Sequence, residues 1–320
     1  MPIITARHWL LLLFLILSWS SAIILTRVAV LEIPPLWVTA GRLTGGAIIL
    51  IIYRLVFYKK PWSLGWHHTL WLILLGLLSS AAPFLLIAWG TQFTTSSVAG
   101  ILMGTVPLIV LGLAHLLLPD EKMTRIKLGG FTLGFIGVIL VINPWRTTET
   151  SSSNSATDTM ELIGQLAIFL AAFCYAASGV LTRRMPQADN IDKATVVVLI
   201  AALMLLIACW IFNPEISIET TPLHSWLILA YLGLVPTAIA SIVLFILLQE
   251  TSASFVTTSN YIIPALTTLG GILFLGESLN NLAWIGFIII LTGLILSNRK
   301  GARQSPDASS TNHYASNQQR

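Results

Sequence analysis

The chain alternates long apolar runs with short polar breaks. A helix needs roughly 20 apolar residues to cross a bilayer core. Ten runs meet that measure, at 9–30, 35–57, 69–90, 95–118, 126–143, 161–182, 194–212, 225–248, 252–275 and 282–298. The pattern predicts an all-α integral membrane protein with ten transmembrane helices. The first run follows Arg7 and outlasts the core of about 7–15 residues typical of a signal peptide, so it reads as a retained span. Two segments lack the pattern. RTTETSSSNSATDTM, at 146–160, reads as a Ser/Thr-rich linker, and RKGARQSPDASSTNHYASNQQR, at 299–320, as a polar tail unable to bury a core.

The linker leaves five spans on each side, and the two sides are related. A shift of 157 carries Gly76, Leu77, Ala81, Gln92, Thr94, Ser97 and Pro107 onto Gly233, Leu234, Ala238, Gln249, Thr251, Ser254 and Pro264. A shift of 156 carries Glu121, Gly130, Phe131 and Gly137 onto Glu277, Gly286, Phe287 and Gly293. An odd number of spans per unit makes the two units cross in opposite directions, the arrangement on which alternating access is commonly built. The expected organisation is two inverted five-helix repeats (5+5), over 1–145 and 161–298, joined by the linker and followed by the tail.

Composition agrees with lipid as the solvent. Of 320 residues, 56% are hydrophobic and 9% charged, against about 25% charged in soluble domains. The net charge of +4 is distributed between the apolar runs, not in a patch, and does not indicate nucleic acid as a partner. With both termini in the cytoplasm, the 17 Lys and Arg divide 14 inside and 3 outside, as the positive-inside rule requires. That places the protein in the plasma (inner) membrane as a multi-pass chain. Cys174 and Cys209 lie in separate apolar runs and suggest neither a disulfide nor a metal site. No nucleotide-binding GxxxxGK[ST] loop is present and no cofactor is expected.

The proline-bearing spans read TTSSVAGILMGTVP and TSASFVTTSNYIIPALTTLGGILFLGESL, followed by the glycine-bearing spans GGFTLGFIGVILV and IGFIIILTGLIL. With Trp19 and Tyr175 as an early aromatic in each half, the pattern resembles the EamA-type branch of the drug/metabolite transporter superfamily. The resemblance covers about residues 9–298. It implies a small-solute transporter, commonly an exporter of amino acids or related metabolites. It also implies a cavity lined by helices one to four and six to nine. The expected partners are a small solute and the bilayer; a homodimer is left open.

Candidate residues follow from chemistry out of place in lipid. Arg42 lies inside the second span, its repeat counterpart is Val198, and its planar fork suits a carboxylate; snorkelling or pairing with Glu32 are the alternatives. Asn260 and Tyr261 replace Met103 and Gly104 of the first half and offer an amide and a phenol. Trp19, Tyr175 and Trp89 are candidate cavity walls. Pro107 and Pro264 each remove an intrahelical hydrogen bond and are candidate hinges. Glu121 and Glu277 close the same two spans and are candidate gate residues. Ser259, Thr257, Thr258, Thr267 and Thr268 are expected to satisfy carbonyls freed near Pro264. None of the predicted spans has an acid at its middle, which argues against a carboxylate proton relay and leaves gradient-driven facilitation or exchange. The six histidines do not cluster with acids, so a membrane enzyme is disfavoured.

Overall fold

The computed structural model describes residues 4–118, 123–145, 155–217 and 219–298. Regular structure among them is helical throughout. Eight helices are long and apolar enough to cross a membrane: α1 Ala6–Ala29, α2 Pro35–Val56, α3 Trp66–Gly90, α4 Ser96–Leu117, α5 Arg125–Ile142, α6 Asp158–Arg184, α7 Asn190–Phe212 and α8 Leu223–Glu250. Two shorter apolar helices follow, α9 Ser259–Leu275 and α10 Asn281–Ser297. Each expected span holds one of these helices, and a two-repeat architecture fits them.

The helices are not uniform, and the irregularities have local causes. The ninth expected span is divided: a single turn at Ala253–Val256 precedes α9, with Thr257 and Thr258 non-helical between them. Its counterpart α4 breaks at Gly104–Thr105, between Ser96–Met103 and Val106–Leu117. Two π-helical segments, Leu77–Ala81 in α3 and Gly233–Ile239 in α8, lie at equivalent places under the shift of 157. Pro236 lies inside the second and lacks the N–H that would bond Leu232 O. The Thr237 hydroxyl supplies that bond instead, at 2.7 Å.

Three helices pack antiparallel against their own counterparts in the other half. In α5 and α10, a Cβ on Gly130 would lie 2.6 Å from Gly293 O, and one on Gly137 would lie 2.6 Å from Gly286 O. The reverse contacts, from Gly293 to Gly130 O and from Gly286 to Gly137 O, are equally close at 2.5 and 2.6 Å. Under the shift of 156 these four residues exchange with one another, so the contact is two-fold related. The helix α2 meets α7 through Ala40, Leu43, Ala47 and Leu50 against Val198, Ala201, Ala202 and Leu205. The third pair, α4 with α9, carries part of the candidate site.

The α2–α7 pair ends in a polar network. The structure starts α7 at Asn190, before the expected limit of 194, and so brings Asp192 into its first turn. Asp192 is fully buried and pairs with Arg54 Nε. Its other oxygen accepts from Ser63 N at 2.8 Å and Ser63 Oγ at 2.7 Å. Arg54 also donates to Tyr58 O and Lys60 O, at 2.9 and 3.0 Å. Every group here has a partner, which is the condition for a buried ion pair to be tolerated.

Asp192→Ala leaves Arg54 buried and uncompensated, and is expected to lower the unfolding free energy by about 3 kcal/mol. Thermal unfolding in detergent reads this; an unchanged Tm would show that the network contributes nothing. Nearby Asp189 caps α7 and accepts from Tyr58 Oη at 2.5 Å and Ile191 N at 2.8 Å. Partial burial pushes its carboxyl up, but these hydrogen bonds and Lys60 outweigh it, and its pKa lies below the ordinary 3.8. A carboxylate with a depressed folded pKa stabilises above its unfolded value, and that contribution is lost as pH falls through the folded value. Stability is therefore expected to decline as the pH falls below about 4. In a Tm-versus-pH series Tyr58→Phe should flatten that decline, and identical curves would remove Asp189 as its source.

Candidate functional site

Arg42 projects from α2 into the interior and is only 8% exposed. Close packing of α2 on the π segment of α8 places it there. A Cβ on Gly46 would meet Thr237 Cγ2 at 2.5 Å, and one on Gly233 would meet Arg42 O at 3.0 Å. Arg42 Nε donates to Thr237 Oγ1 at 2.9 Å, the same hydroxyl that serves Leu232 O. The guanidinium carbon lies 3.9 Å from the centroid of the Phe84 ring, a cation–π distance. Phe84 in turn lies 6.2 Å from the ring of Tyr175 on α6, and Tyr175 is close enough to Arg42 to interact with it electrostatically.

Within the cluster Arg42 is held by a hydroxyl and an aromatic ring. Among the described residues it makes no ion pair with Glu32 or with any other carboxylate. Its two terminal nitrogens, Nη1 and Nη2, have no protein hydrogen-bond partner among those residues. A buried guanidinium with two unused donors is an anion receptor in chemical terms. Of the residues singled out in the sequence, the structure brings Arg42 and Tyr175 together. It adds Thr237 and Phe84, which the sequence reading missed; the helix-bulging Pro236 beside Thr237 was the available signal.

The other candidates lie elsewhere. Trp19 packs against the α1–α8–α9 core around Leu15 and Val243. Trp89 pairs with Phe93, their ring centroids 5.0 Å apart. Tyr261 lies on the core that contains Leu102 and Leu108, and Asn260 is half-buried beside it in the first turn of α9. Neither Arg42 nor Tyr175 bonds to Asn260 or Tyr261.

Pro264 and Pro107 meet the facing repeat differently. A Cβ on Gly104 would lie 2.8 Å from Pro264 Cγ, and one on Gly100 would lie 2.6 Å from Thr267 Cγ2. The GILMG stretch thus admits α9 to close contact with α4, in the manner of small-xxx-small pairs in membranes. Helix α9 runs unbroken through Pro264, whereas Pro107 opens the second part of α4, directly after its break. Ser259 Oγ donates to Val256 O at 2.8 Å, across the interruption at Thr257–Thr258. Ser20 of α1 donates to Ile263 O at 3.3 Å. Hydroxyls do satisfy carbonyls here, at the break through Ser259 and beside the proline through Ser20.

Glu277 sits at the N-terminus of α4. Its Oε1 accepts from Ser96 N at 2.7 Å and Ser96 Oγ at 2.9 Å. Its Oε2 accepts from Ser97 N at 2.9 Å and Ser97 Oγ at 2.6 Å. A carboxylate at a helix N-terminus satisfies amides without an intrahelical partner and meets the positive end of the dipole. Glu277 is therefore a clasp between the halves. Glu121 lies outside the described residues.

A polar cluster enclosed among apolar helices, with helices paired across two halves, defines a multi-pass membrane protein of two-repeat build. The sequence profile of the EamA-like transporter family matches residues 7–143 and 162–299, and the chain belongs to that family. It is similar to the uncharacterized transporter YoaV of Bacillus subtilis (strain 168), 26% identical over 88% of this chain and 93% of that one. It is also similar to the uncharacterized inner membrane transporter YedA of Escherichia coli (strain K12), 24% identical over 88% and 87%. The chloroplastic WAT1-related protein At3g02690 of Arabidopsis thaliana is 22% identical over 92% of this chain and 70% of its own. A crystal structure with 19% identity superposes with a TM-score of 0.61 over 92% of this chain and 97% of its own, and supports the fold. The protein is a membrane transporter of the drug/metabolite transporter superfamily.

Glu277→Ala removes the acceptor for two backbone and two hydroxyl donors at the start of α4. It is expected to destabilise the protein by about 2 kcal/mol. A thermal melt in detergent measures this, and a Tm equal to wild type would exclude the clasp.

Proposed function

We propose that the protein is a secondary transporter which moves a small amphiphilic metabolite bearing a carboxylate, of amino-acid type, by alternating access. Export is the direction, with both termini in the cytoplasm. The ten helices act as spans, in inverted repeats over 1–145 and 161–298. The observation that carries the substrate class is Arg42: a buried cation beside α2 glycines, held through Nε by Thr237 and stacked on Phe84, with no acceptor for Nη1 and Nη2 among the described residues. A carboxylate would take both nitrogens in a bidentate pair. Tyr175 borders the same space, and Asn260 and Tyr261 offer polar contacts on α9. Trp19 and Trp89 form walls, and Pro107, Pro264, Glu121 and Glu277 belong to the hinge and gate.

The antiparallel counterpart pairs support the transport cycle. The halves meet on narrow glycine and alanine faces, so one half can rock against the other about those lines. Arg42 lies between them, on α2 of the first half and against α8 of the second.

Flux in proteoliposomes loaded with a panel of amino acids and related metabolites, with and without a pH gradient, is the test. Arg42→Ala is expected to reduce flux of carboxylate-bearing solutes by at least about 100-fold, and Arg42→Lys to recover it only partly, since an ammonium cannot make the fork. Equal flux in wild type and Arg42→Ala across the panel would remove the carboxylate role. Thr237→Val should raise KM more than it lowers kcat, because it loosens the cation without removing it.

A further inference from the structure

The connection between α2 and α3, residues 57–65, is built inside out for a segment facing water. Its polar groups turn inward. Arg54 donates to Tyr58 O and Lys60 O, and its guanidinium carbon lies 5.3 and 5.1 Å from the Tyr58 and Trp62 rings. Ser63 donates to Asp192 through N and Oγ, and its Oγ accepts from Asp189 N at 2.8 Å. The aromatic side chains are left outside: Phe57 is 69% exposed, Trp62 53%, and Trp66, which opens α3, 89%. Leu55, Val56 and Leu70 on the adjoining turns of α2 and α3 are exposed as well. The aromatic surface is therefore continuous with the apolar outer sides of two spanning helices, at the level where indole rings gather in membranes.

The charge of this connection is one-sided. The sequence holds no Asp or Glu between Glu32 and Asp120. The acids that reach the loop come from the second half and are already engaged: Asp192 by Arg54 and Ser63, and Asp189 by Tyr58, with Lys60 Nζ at 3.8 Å. Lys59 is exposed and has neither an ion pair nor a hydrogen bond among the described residues. The repeat shows that the fold does not demand this chemistry. Under the shift of 156, Lys59 and Ser63 fall on Glu215 and Glu219, and Trp62 and Trp66 on Ile218 and Pro222. The equivalent connection, at the opposite end of the bundle, thus carries acids and no indole.

We propose that the α2–α3 connection is a docking surface for an anionic phospholipid. Phe57, Trp62 and Trp66 lie among the glycerol groups and upper acyl chains, and Lys59 extends to the phosphodiester, as long basic side chains do at the interface. A soluble protein partner is disfavoured because exposed Leu55, Val56 and Leu70 flank the aromatic surface and belong in lipid. The proposal goes beyond the transport reading and does not depend on it. Because Arg54 and Asp192 tie the loop to both α2 and α7, a lipid held here bears on the junction of the halves.

The test places a bimane label on His67→Cys of the full chain in phosphatidylcholine vesicles. His67 is exposed and both native cysteines are buried, so the label takes the introduced thiol. Phosphatidylglycerol or phosphatidylcholine carrying a nitroxide near the glycerol is then added as quencher. Phosphatidylglycerol is expected to quench with an apparent affinity about five-fold above that of phosphatidylcholine, the worth of one basic residue near the surface. Lys59→Ser should abolish the preference, and Lys59→Glu, which installs the residue of the other half, should reverse it. Lys59 has no partner to lose, so both variants should keep the wild-type Tm. Equal quenching by the two lipids overturns the proposal, as does a preference that survives Lys59→Glu. Absence of quenching by either lipid would put the loop in water and also overturn it. Loss of the preference in inorganic phosphate, but not in sodium chloride of equal ionic strength, would replace the lipid with a soluble anion.

Discussion

Close approach of backbone to backbone across the two halves is the constraint on which the rest of this structure depends. Lipid tails are as apolar as leucine, so helices in a bilayer gain little by hiding apolar surface from one another. What they gain is packing, and packing at the contacts seen here requires that side chains be absent. Gly130 and Gly137 face Gly293 and Gly286 at distances that no Cβ could share, and Gly100 and Gly104 admit Thr267 and Pro264 in the same way. Gly46 does this for the π segment of α8, where a Cβ would meet Thr237 Cγ2 at 2.5 Å. These lines fix which helix meets which, and thereby deliver Arg42 to Thr237 and Ser96 to Glu277.

The second constraint is the need to satisfy backbone groups wherever a helix departs from regularity. At Pro236 the hydroxyl of Thr237 takes the carbonyl that proline cannot serve, and because that oxygen also accepts from Arg42, backbone repair and cation placement are one device. At the start of α4 the repair comes from Glu277 in the other half, which makes the state of a helix end depend on how the halves sit. The Thr257–Thr258 interruption is bridged by Ser259. Each irregular point is thus tied to a contact that reaches beyond its own turn or helix, or to a local hydroxyl. Helix breaks without such partners would be costly at membrane depth.

Hydropathy made the helices legible, and the repeat offset matched Gly130 with Gly286 and Gly137 with Gly293, the four residues that the structure brings into contact in crossed pairs. Arg42 stood out because a charge in an apolar run has no bland counterpart in Val198. Asp192 did not stand out. It lies just before the apolar run, and only the Asp189 cap, with Asp192 in the first turn after it, signalled that α7 begins earlier. Thr237, Phe84 and the clasp at Glu277 depend on which helix faces which, information that periodicity along one helix does not contain. The interruption at Thr257–Thr258 depends on a facing helix in the same way, since α9 stays continuous through Pro264 while packed against Gly104.

The pairing of the halves is close to two-fold, but the chemistry is not. Gly130, Gly137, Gly286 and Gly293 exchange under the repeat, and so do the π segments of α3 and α8. The members of the Arg42 cluster do not: Arg42 stands where the other half has Val198, Thr237 where it has Ser80, Phe84 where it has Ser241, and Tyr175 where it has Trp19. A scaffold built twice can present two arrangements of nearly equal energy, because each half can adopt what the other has. A receptor built twice would present two competing cations across one narrow space, each raising the cost of burying the other. Keeping the scaffold symmetric and the cluster single leaves one buried cation between two related halves.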